Sequence, residues 1–214
     1  MNLNNYIDHT NLKQISTYED IKKLCEEAII YNFKSVCISP YYVKFASELL
    51  KETDVKVCTV IGFPNGYSTM ETKIFETKNA LSNGADEIDI VININALKNK
   101  DYKYIKEEIT RIREITKDNV LKVIIETCFL NEEEIKNMTL MCNETNVDFI
   151  KTSTGFGSRG ADLMDLDIIN QYRDENLQIK ASGGIKTKEY TLKYIEKGAT
   201  RIGTSNGVAI MKGE

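Results

Sequence analysis

Eight short runs rich in β-branched residues, separated by longer polar stretches of helical period, constrain this chain more than any other feature. The runs are Tyr6-Ile7-Asp8, Ser35-Val36-Cys37-Ile38, Val57-Cys58-Thr59-Val60-Ile61, Glu87-Ile88-Asp89-Ile90-Val91, Lys122-Val123-Ile124-Ile125-Glu126, Phe149-Ile150-Lys151, Gln178-Ile179-Lys180-Ala181 and Arg201-Ile202-Gly203. Each has the length and side chains of a buried strand. Between them, Asp20 to Tyr31, Lys73 to Ser82, Ile105 to Ile115 and Glu133 to Cys142 carry apolar residues every three or four positions and predict amphipathic helices. Several such segments end at Gly or Asn, as in Ser82-Asn83-Gly84-Ala85 and Lys197-Gly198-Ala199, where a left-handed residue stops a helix. Strand then helix, eight times in 214 residues, predicts the α/β class. A closed parallel sheet, the (β/α)8 or TIM barrel, suits this pattern better than an open sheet, with one domain over residues 1–214. The run Lys98-Asn99-Lys100-Asp101 reads as a solvated turn.

Charge and composition remove whole classes of function. A net charge of -4 offers no general attraction to nucleic acid, and no segment approaches the ~20 apolar residues of a membrane helix. The start, Met1-Asn2-Leu3-Asn4-Asn5, lacks the basic and apolar stretches of a secretory signal, so a cytoplasmic location is expected. Five cysteines (25, 37, 58, 128 and 142) with no Cys-x-x-Cys pair fit a reducing compartment better than a disulfide framework. His9 is the single histidine. Zinc-dependent carbonyl or hydrolytic chemistry gathers two or three imidazoles, so no metal site is expected, and nothing near His9 resembles a nucleophile motif.

Three of the runs carry a charge where a barrel strand is buried on both faces. With alternation of two, the isoleucines of Glu87 to Val91 face the helices and Asp89 points into the barrel. The same parity sends Lys151 inward past Ile150, and Lys180 inward between Ile179 and Ala181. Any one of these alone reads as a strand-end ion pair. Convergence of all three at the carboxyl ends of strands four, six and seven points to chemistry, because buried charges are costly unless paired or used. Two adjacent ammonium groups disfavour each other's charge, so one lysine can stand as a neutral amine and attack a carbonyl while a carboxylate alongside moves protons.

Glycine-rich loops follow three strands: Thr152-Ser153-Thr154-Gly155, Ser182-Gly183-Gly184 and Gly203-Thr204-Ser205-Asn206-Gly207. Loops seven and eight are the usual phosphate site of this fold, so a phosphorylated small molecule is expected. Glycines that merely turn the chain explain one such loop but not paired glycines with hydroxyls in two neighbours. The stretch Gly155-Phe156-Gly157-Ser158-Arg159-Gly160 matches dinucleotide-binding spacing. That motif expects an acidic residue closing the next strand, which here closes with Lys180-Ala181-Ser182.

These residues together resemble the deoxyribose-phosphate aldolase family along nearly the whole chain. The resemblance runs through Ile7-Asp8-His9-Thr10, Val36-Cys37-Ile38, Ile61-Gly62-Phe63-Pro64, Gly84-Ala85-Asp86-Glu87-Ile88-Asp89, Phe149 to Phe156 and Lys180-Ala181-Ser182-Gly183-Gly184-Ile185. It implies a metal-free, cofactor-free class I aldolase interconverting 2-deoxy-D-ribose 5-phosphate with acetaldehyde and D-glyceraldehyde 3-phosphate. It implies Lys151 as the Schiff-base lysine, Lys180 as the lysine that perturbs it and Asp89 as the proton-transfer carboxylate. Gly155, Gly183, Gly184, Gly203 and Ser205 fall near the phosphate, with Asn206 where some relatives have a second serine. Asp8, Thr10 and Cys37 fall in the pocket, Cys37 having an equal claim to a structural role. Glu126 closes strand five on the inner face, either in the site or as an ion-pair partner of a lysine. A homodimer is suggested by the resemblance alone. Some members end in a tail bearing a tyrosine that assists proton transfer; here the last tyrosine is Tyr194, so that assistance is absent or supplied by water. Ser158 to Leu163 is more charged than the family pattern. A sugar-phosphate isomerase, another lysine aldolase or a silent sugar-phosphate-binding protein would keep the same loops and a different carbonyl partner or none.

Overall fold

In the computed structural model, which describes residues 2–213, the eight runs become eight parallel strands that close on themselves in chain order. They are β1 (Ile7–Asn11), β2 (Ser35–Ile38), β3 (Lys56–Ile61), β4 (Glu87–Val91), β5 (Val120–Ile124), β6 (Phe149–Lys151), β7 (Gln178–Ser182) and β8 (Ala199–Thr204), and β8 returns to pair with β1. Around them run α1 (Tyr18–Tyr31), α2 (Val43–Leu50), α3 (Met70–Ser82), α4 (Ile94–Lys98), α5 (Tyr102–Ile115), α6 (Glu132–Glu144), α7 (Leu163–Tyr172), α8 (Lys188–Glu196) and α9 (Gly207–Lys212). The helices begin one to three residues before the apolar period does because their caps lie upstream. Thr17 with Asp20 and Asn131 with Glu134 form reciprocal capping boxes, and Asp101 accepts from the amide of Tyr104. That cap corrects the reading of residues 98–101 as a free turn: Lys98 closes α4 and pairs with Glu134 at 2.6 Å, and Asp101 opens α5.

An apolar layer results between the strands and the helices. Ile88 and Ile90 of β4, Leu121 and Val123 of β5, Ile150 of β6 and Ile179 of β7 face outward into the helix layer, all essentially without solvent exposure. In that layer Lys73 of α3 donates to the carbonyl of Val91 at 2.8 Å and pairs with Glu108 of α5 at 2.9 Å, tying the end of β4 to two helices. Burial pushes Lys73 down and Glu108 up from their ordinary values, each only partly restored by the other.

Inside the barrel many of the alternate residues are charged. Adjacent strands place Asp89 beside Lys122, Ile124 beside Lys151, Lys151 beside Lys180, and Lys180 beside Arg201. The last pairing depends on an irregularity in β8. Ile179 pairs with Ala199 and Lys180 with Arg201, so Thr200 is an extra residue. The slip turns Arg201 inward where strict alternation from Ala199, which packs in the outer layer, would have turned it out.

Strand five ends two residues earlier than its sequence run. Ile124 is its last residue, and Glu126 adopts a left-handed conformation (φ 52) that starts a turn of 3-10 helix over Thr127–Phe129. Residues 155–160 form a loop, and α7 begins only at Leu163. The segment therefore lacks the strand-turn-helix setting that a dinucleotide fingerprint requires.

Candidate active site

A cavity of about 460 Å³ opens at the carboxyl ends of the strands. Lys151, the last residue of β6, lies in its wall with only 3% of its side chain exposed. The six residues expected near a phosphate, Gly155, Gly183, Gly184, Gly203, Ser205 and Asn206, all line the same cavity, as does Thr10. Gly155, Gly183 and Gly184 take left-handed conformations (φ 88, 87 and 76), so these loops turn in a way that side-chain-bearing residues resist. Gly203 is glycine for another reason: it faces into the barrel, and a Cβ there would stand 2.9 Å from Cβ of Ser182 and 3.1 Å from Cε of Lys180.

Beneath Lys151 the interior is a closed ring of six alternating charges. Arg201 donates to Asp8 Oδ1 at 2.7 Å, and Asp8 Oδ2 lies 2.5 Å from Lys180 Nζ. Lys180 reaches Asp89 Oδ2 at 2.7 Å, and Asp89 Oδ1 accepts from Lys122 at 2.8 Å. Lys122 lies 2.5 Å from Glu87 Oε2, and Glu87 closes the circuit on Arg201 at 3.0 Å. Three cations and three carboxylates make the ring neutral. Lys151 hangs from it as a seventh charge, donating to Asp89 Oδ2 at 2.8 Å.

The ring holds Asp8, Asp89, Lys122, Lys180 and Arg201 ionised against the cost of burial. Burial pushes the Asp8 and Asp89 carboxyls up, but Arg201, Lys180 and Lys122 around Asp8, and Lys122, Lys151 and Lys180 around Asp89, outweigh it and hold both below the usual carboxylate range. Burial likewise pushes Lys180 and Lys122 down; Asp8 and Asp89 overcome it at Lys180, and Asp89, Cys58 and Glu87 at Lys122, so both end above the ordinary lysine value. Cys37 and Cys58, paired across β2 and β3, lie against this cluster. The neighbouring Cys58 thiol, with Lys180 and Lys151, lowers Cys37 to about 7 in spite of burial. Asp8, Cys58 and Glu87, or Cys37, Cys58 and Asp89, stand close enough together to ligate a metal. Every one of those carboxylates is already matched by at least two cations, which a metal would have to displace.

The structure thus brings Lys151, Lys180 and Asp89 together, Lys151 facing the cavity and the other two wholly buried below it. Asp8 and Cys37 sit in that lower layer, not in the cavity lining. Glu126 neither closes a strand nor pairs with a lysine. It accepts from the amide of Thr154 at 3.2 Å and from its hydroxyl, fastening the loop after β5 to the loop after β6. Sequence reasoning missed Lys122, Glu87 and Arg201. It also missed the cavity rim of Lys13, Lys23 and Lys186, and the pairing of His9 Nε2 with Glu27 at 2.7 Å on the β1 side. Burial holds His9 below its ordinary value although Glu27 opposes the shift.

Residues 3–212 match the family model described as DeoC/LacD family aldolase. The chain belongs to the DeoC/LacD aldolase family. It is 54% identical over 208 residues to a deoxyribose-phosphate aldolase of Ureaplasma parvum serovar 3, covering 97% of each chain. It is 52% identical over 208 residues to one of Clostridioides difficile, covering 97% of this chain and 94% of that one. Among solved structures, a putative deoxyribose-phosphate aldolase of Coccidioides immitis superposes with a TM-score of 0.96 at 38% identity over 99% of this chain and 85% of that one. A tetrameric deoxyribose phosphate aldolase of Aeropyrum pernix gives 0.91 at 30% identity, over 98% and 89%. Membership makes the chain an aldolase, a lyase of carbon-carbon bonds, and its barrel is the barrel of those relatives.

Proposed function

We propose that this aldolase cleaves 2-deoxy-D-ribose 5-phosphate reversibly to D-glyceraldehyde 3-phosphate and acetaldehyde through a Schiff base on Lys151. One observation carries the reading: of the four cations in the barrel cluster, Lys151 alone faces the cavity that the glycine loops line, and it is the one that the neutral ring does not need for balance. Attack on the aldehyde carbon of the open-chain sugar requires the amine without its proton. Lys180 and Lys122 retain their charge, so the cluster's positive charge stays with them when Lys151 gives its proton up.

Loss of water from the carbinolamine gives a protonated imine. When the bond between C2 and C3 breaks, its electron pair forms a C1–C2 double bond and the imine pair passes to nitrogen, while the C3 hydroxyl loses its proton and becomes the carbonyl of glyceraldehyde 3-phosphate. Asp89, with Lys180 and a water, carries protons between these positions. Protonation of the resulting enamine at C2 and hydrolysis of the imine free acetaldehyde and restore the amine. The phosphate of the substrate sits against the loops holding Gly155, Gly183, Gly184, Ser205 and Asn206, with Lys186 at the rim. The family resemblance adds a homodimer to this reading, and the cysteine pattern, with all five free among the described residues, favours a cytoplasmic location.

Borohydride added with 2-deoxyribose 5-phosphate is expected to fix a two-carbon adduct on Lys151, located by peptide mapping. Label on Lys180, or none at all, would sink the assignment. Cleavage of ribose 5-phosphate as fast as the deoxy sugar would point to a different substrate.

The loop geometry makes a second prediction. Gly183 sits at φ 87, and a Cβ there would lie 2.8 Å from the Cα of Gly160. Gly183→Ala is expected to raise KM for the phosphorylated substrate about 10-fold or more, from a backbone strain of ~1–3 kcal/mol placed where the phosphate binds. The KM for an unphosphorylated aldehyde should change far less, and an equal rise in both would contradict a phosphate role for this loop.

A further inference from the structure

The ring extends well beyond the catalytic trio. Neither Glu87 nor Arg201 lines the candidate active site; both border a separate cavity of about 710 Å³, with Asn5, Lys34 and Gln178 from the amino-terminal ends of the strands. Phe149 underlies the ring at that end, its centroid 5.2 Å from Arg201 Cζ and 5.8 Å from Lys122 Nζ. Branched apolar side chains fill this layer in most barrels, and they fill it without the desolvation cost of six charges. The slip at Thr200 that turns Arg201 inward shows that the charge is built in by the local backbone, since without it the guanidinium would point into the helix layer.

Two routes lead from this remote pair to the carboxylate that holds Lys151. Arg201 fixes Asp8, which fixes Lys180, which shares Asp89 Oδ2 with Lys151. Glu87 fixes Lys122, which holds the other oxygen of Asp89. We propose that Glu87 and Arg201 are positioning residues that set the chemistry of Lys151 from the opposite end of the barrel, by fixing the charge balance and the orientation of Asp89 and Lys180. The inference rests on the Schiff-base reading given above.

The charged and titratable groups around Lys151 come from every strand: Asp8 on β1, Cys37 on β2, Cys58 on β3, Glu87 and Asp89 on β4, Lys122 on β5, Lys180 on β7 and Arg201 on β8. With all seven ionic groups charged, cations exceed carboxylates by one. Glu87→Gln raises the excess and favours the amine that has lost its proton. Arg201→Gln removes the excess and favours the amine that keeps it.

The test is the pH profile of kcat/KM for 2-deoxyribose 5-phosphate, with borohydride labelling of each variant. The acid limb is expected to move to lower pH in Glu87→Gln and to higher pH in Arg201→Gln, each by about one pH unit, and to return to the wild-type position in the double variant. A purely structural role would lower activity in both without opposite shifts. Limbs that stay in place, or that move the same way, overturn the proposal. Should Arg201→Gln fail to fold, Arg201→Lys keeps the charge and should keep the wild-type limb; a shift there, or none in Glu87→Gln, is equally fatal. Repeating the profiles in a Cys37→Ser background removes the thiol lowered to about 7 as a source of any limb. Absence of label on wild-type Lys151 defeats the Schiff-base reading, whereas normal label with unmoved limbs defeats the remote role alone.

Discussion

Lys151→Arg is expected to lose at least about 10⁴-fold in kcat while leaving the barrel folded, because removal of a covalent nucleophile typically costs 10⁴–10⁶-fold. The substitution is a stringent one. Arginine keeps the positive charge and can still donate to Asp89, so the ionic arrangement survives in kind. What it lacks is an amine that can lose a proton and add to a carbonyl. Far-ultraviolet circular dichroism should match the parent, borohydride should fix no adduct, and a coupled assay for glyceraldehyde 3-phosphate should read near background. Survival of a few per cent of the rate would mean that another lysine forms the imine.

The largest combined effect is expected at Asp89. Asparagine has its shape but not its charge, and the change leaves Lys122, Lys151 and Lys180 around a neutral amide in a site with no solvent exposure. Removing one partner of a buried ionic cluster costs about 3–5 kcal/mol, so Asp89→Asn should lower the urea midpoint markedly. Loss of the proton carrier should lower kcat by about 10²–10⁴-fold. The sign of the pH effect follows from the lowered carboxyl. A group whose folded value lies below its unfolded value of about 3.9 contributes its full stability above that pH and loses it as pH falls toward the folded value. Wild type and Asp89→Asn should therefore differ most above about pH 5 and converge below about pH 4. Unfolding curves separated by the same amount at every pH would show that the carboxylate is not what stabilises the core.

How much of this was legible beforehand varied with the range of the interaction. The eight strands could be read because their β-branched runs are local, and parity within β4, β6 and β7 sufficed to turn Asp89, Lys151 and Lys180 inward. Lys122 went unread although it lies in one of the runs. Lys122-Val123-Ile124-Ile125-Glu126 is apolar on both faces at its centre, and although the parity that turns Glu126 inward turns Lys122 inward too, a lysine at the amino end of the run lies away from the strand ends where barrel sites form. The left-handed turn at Glu126 depends on its bonds to Thr154, 28 residues on, which no local pattern records. Arg201 was hidden differently. Its direction is set by the slip at Thr200 between two strands, a property of pairing and not of either strand alone. The union of His9 with Glu27 likewise needs β1 and α1 already packed together. The glycines were seen for their backbone freedom, correctly at 155, 183 and 184; only the folded barrel reveals that Gly203 is small because Ser182 and Lys180 of the neighbouring strand crowd it.

The bond between Asp8 and Arg201 spans 193 residues. Asp8 lies on β1 and Arg201 on β8, so the bond crosses the seam at which the sheet closes. Until Arg201 arrives the circuit has a gap, with a carboxylate on either side of it short of its guanidinium. The docking of β8 thus does two things in one event: it seals the sheet, and it delivers the cation that completes the ring. A barrel in which β8 is undocked is therefore expected to have lost the charge ring together with the closure of the sheet.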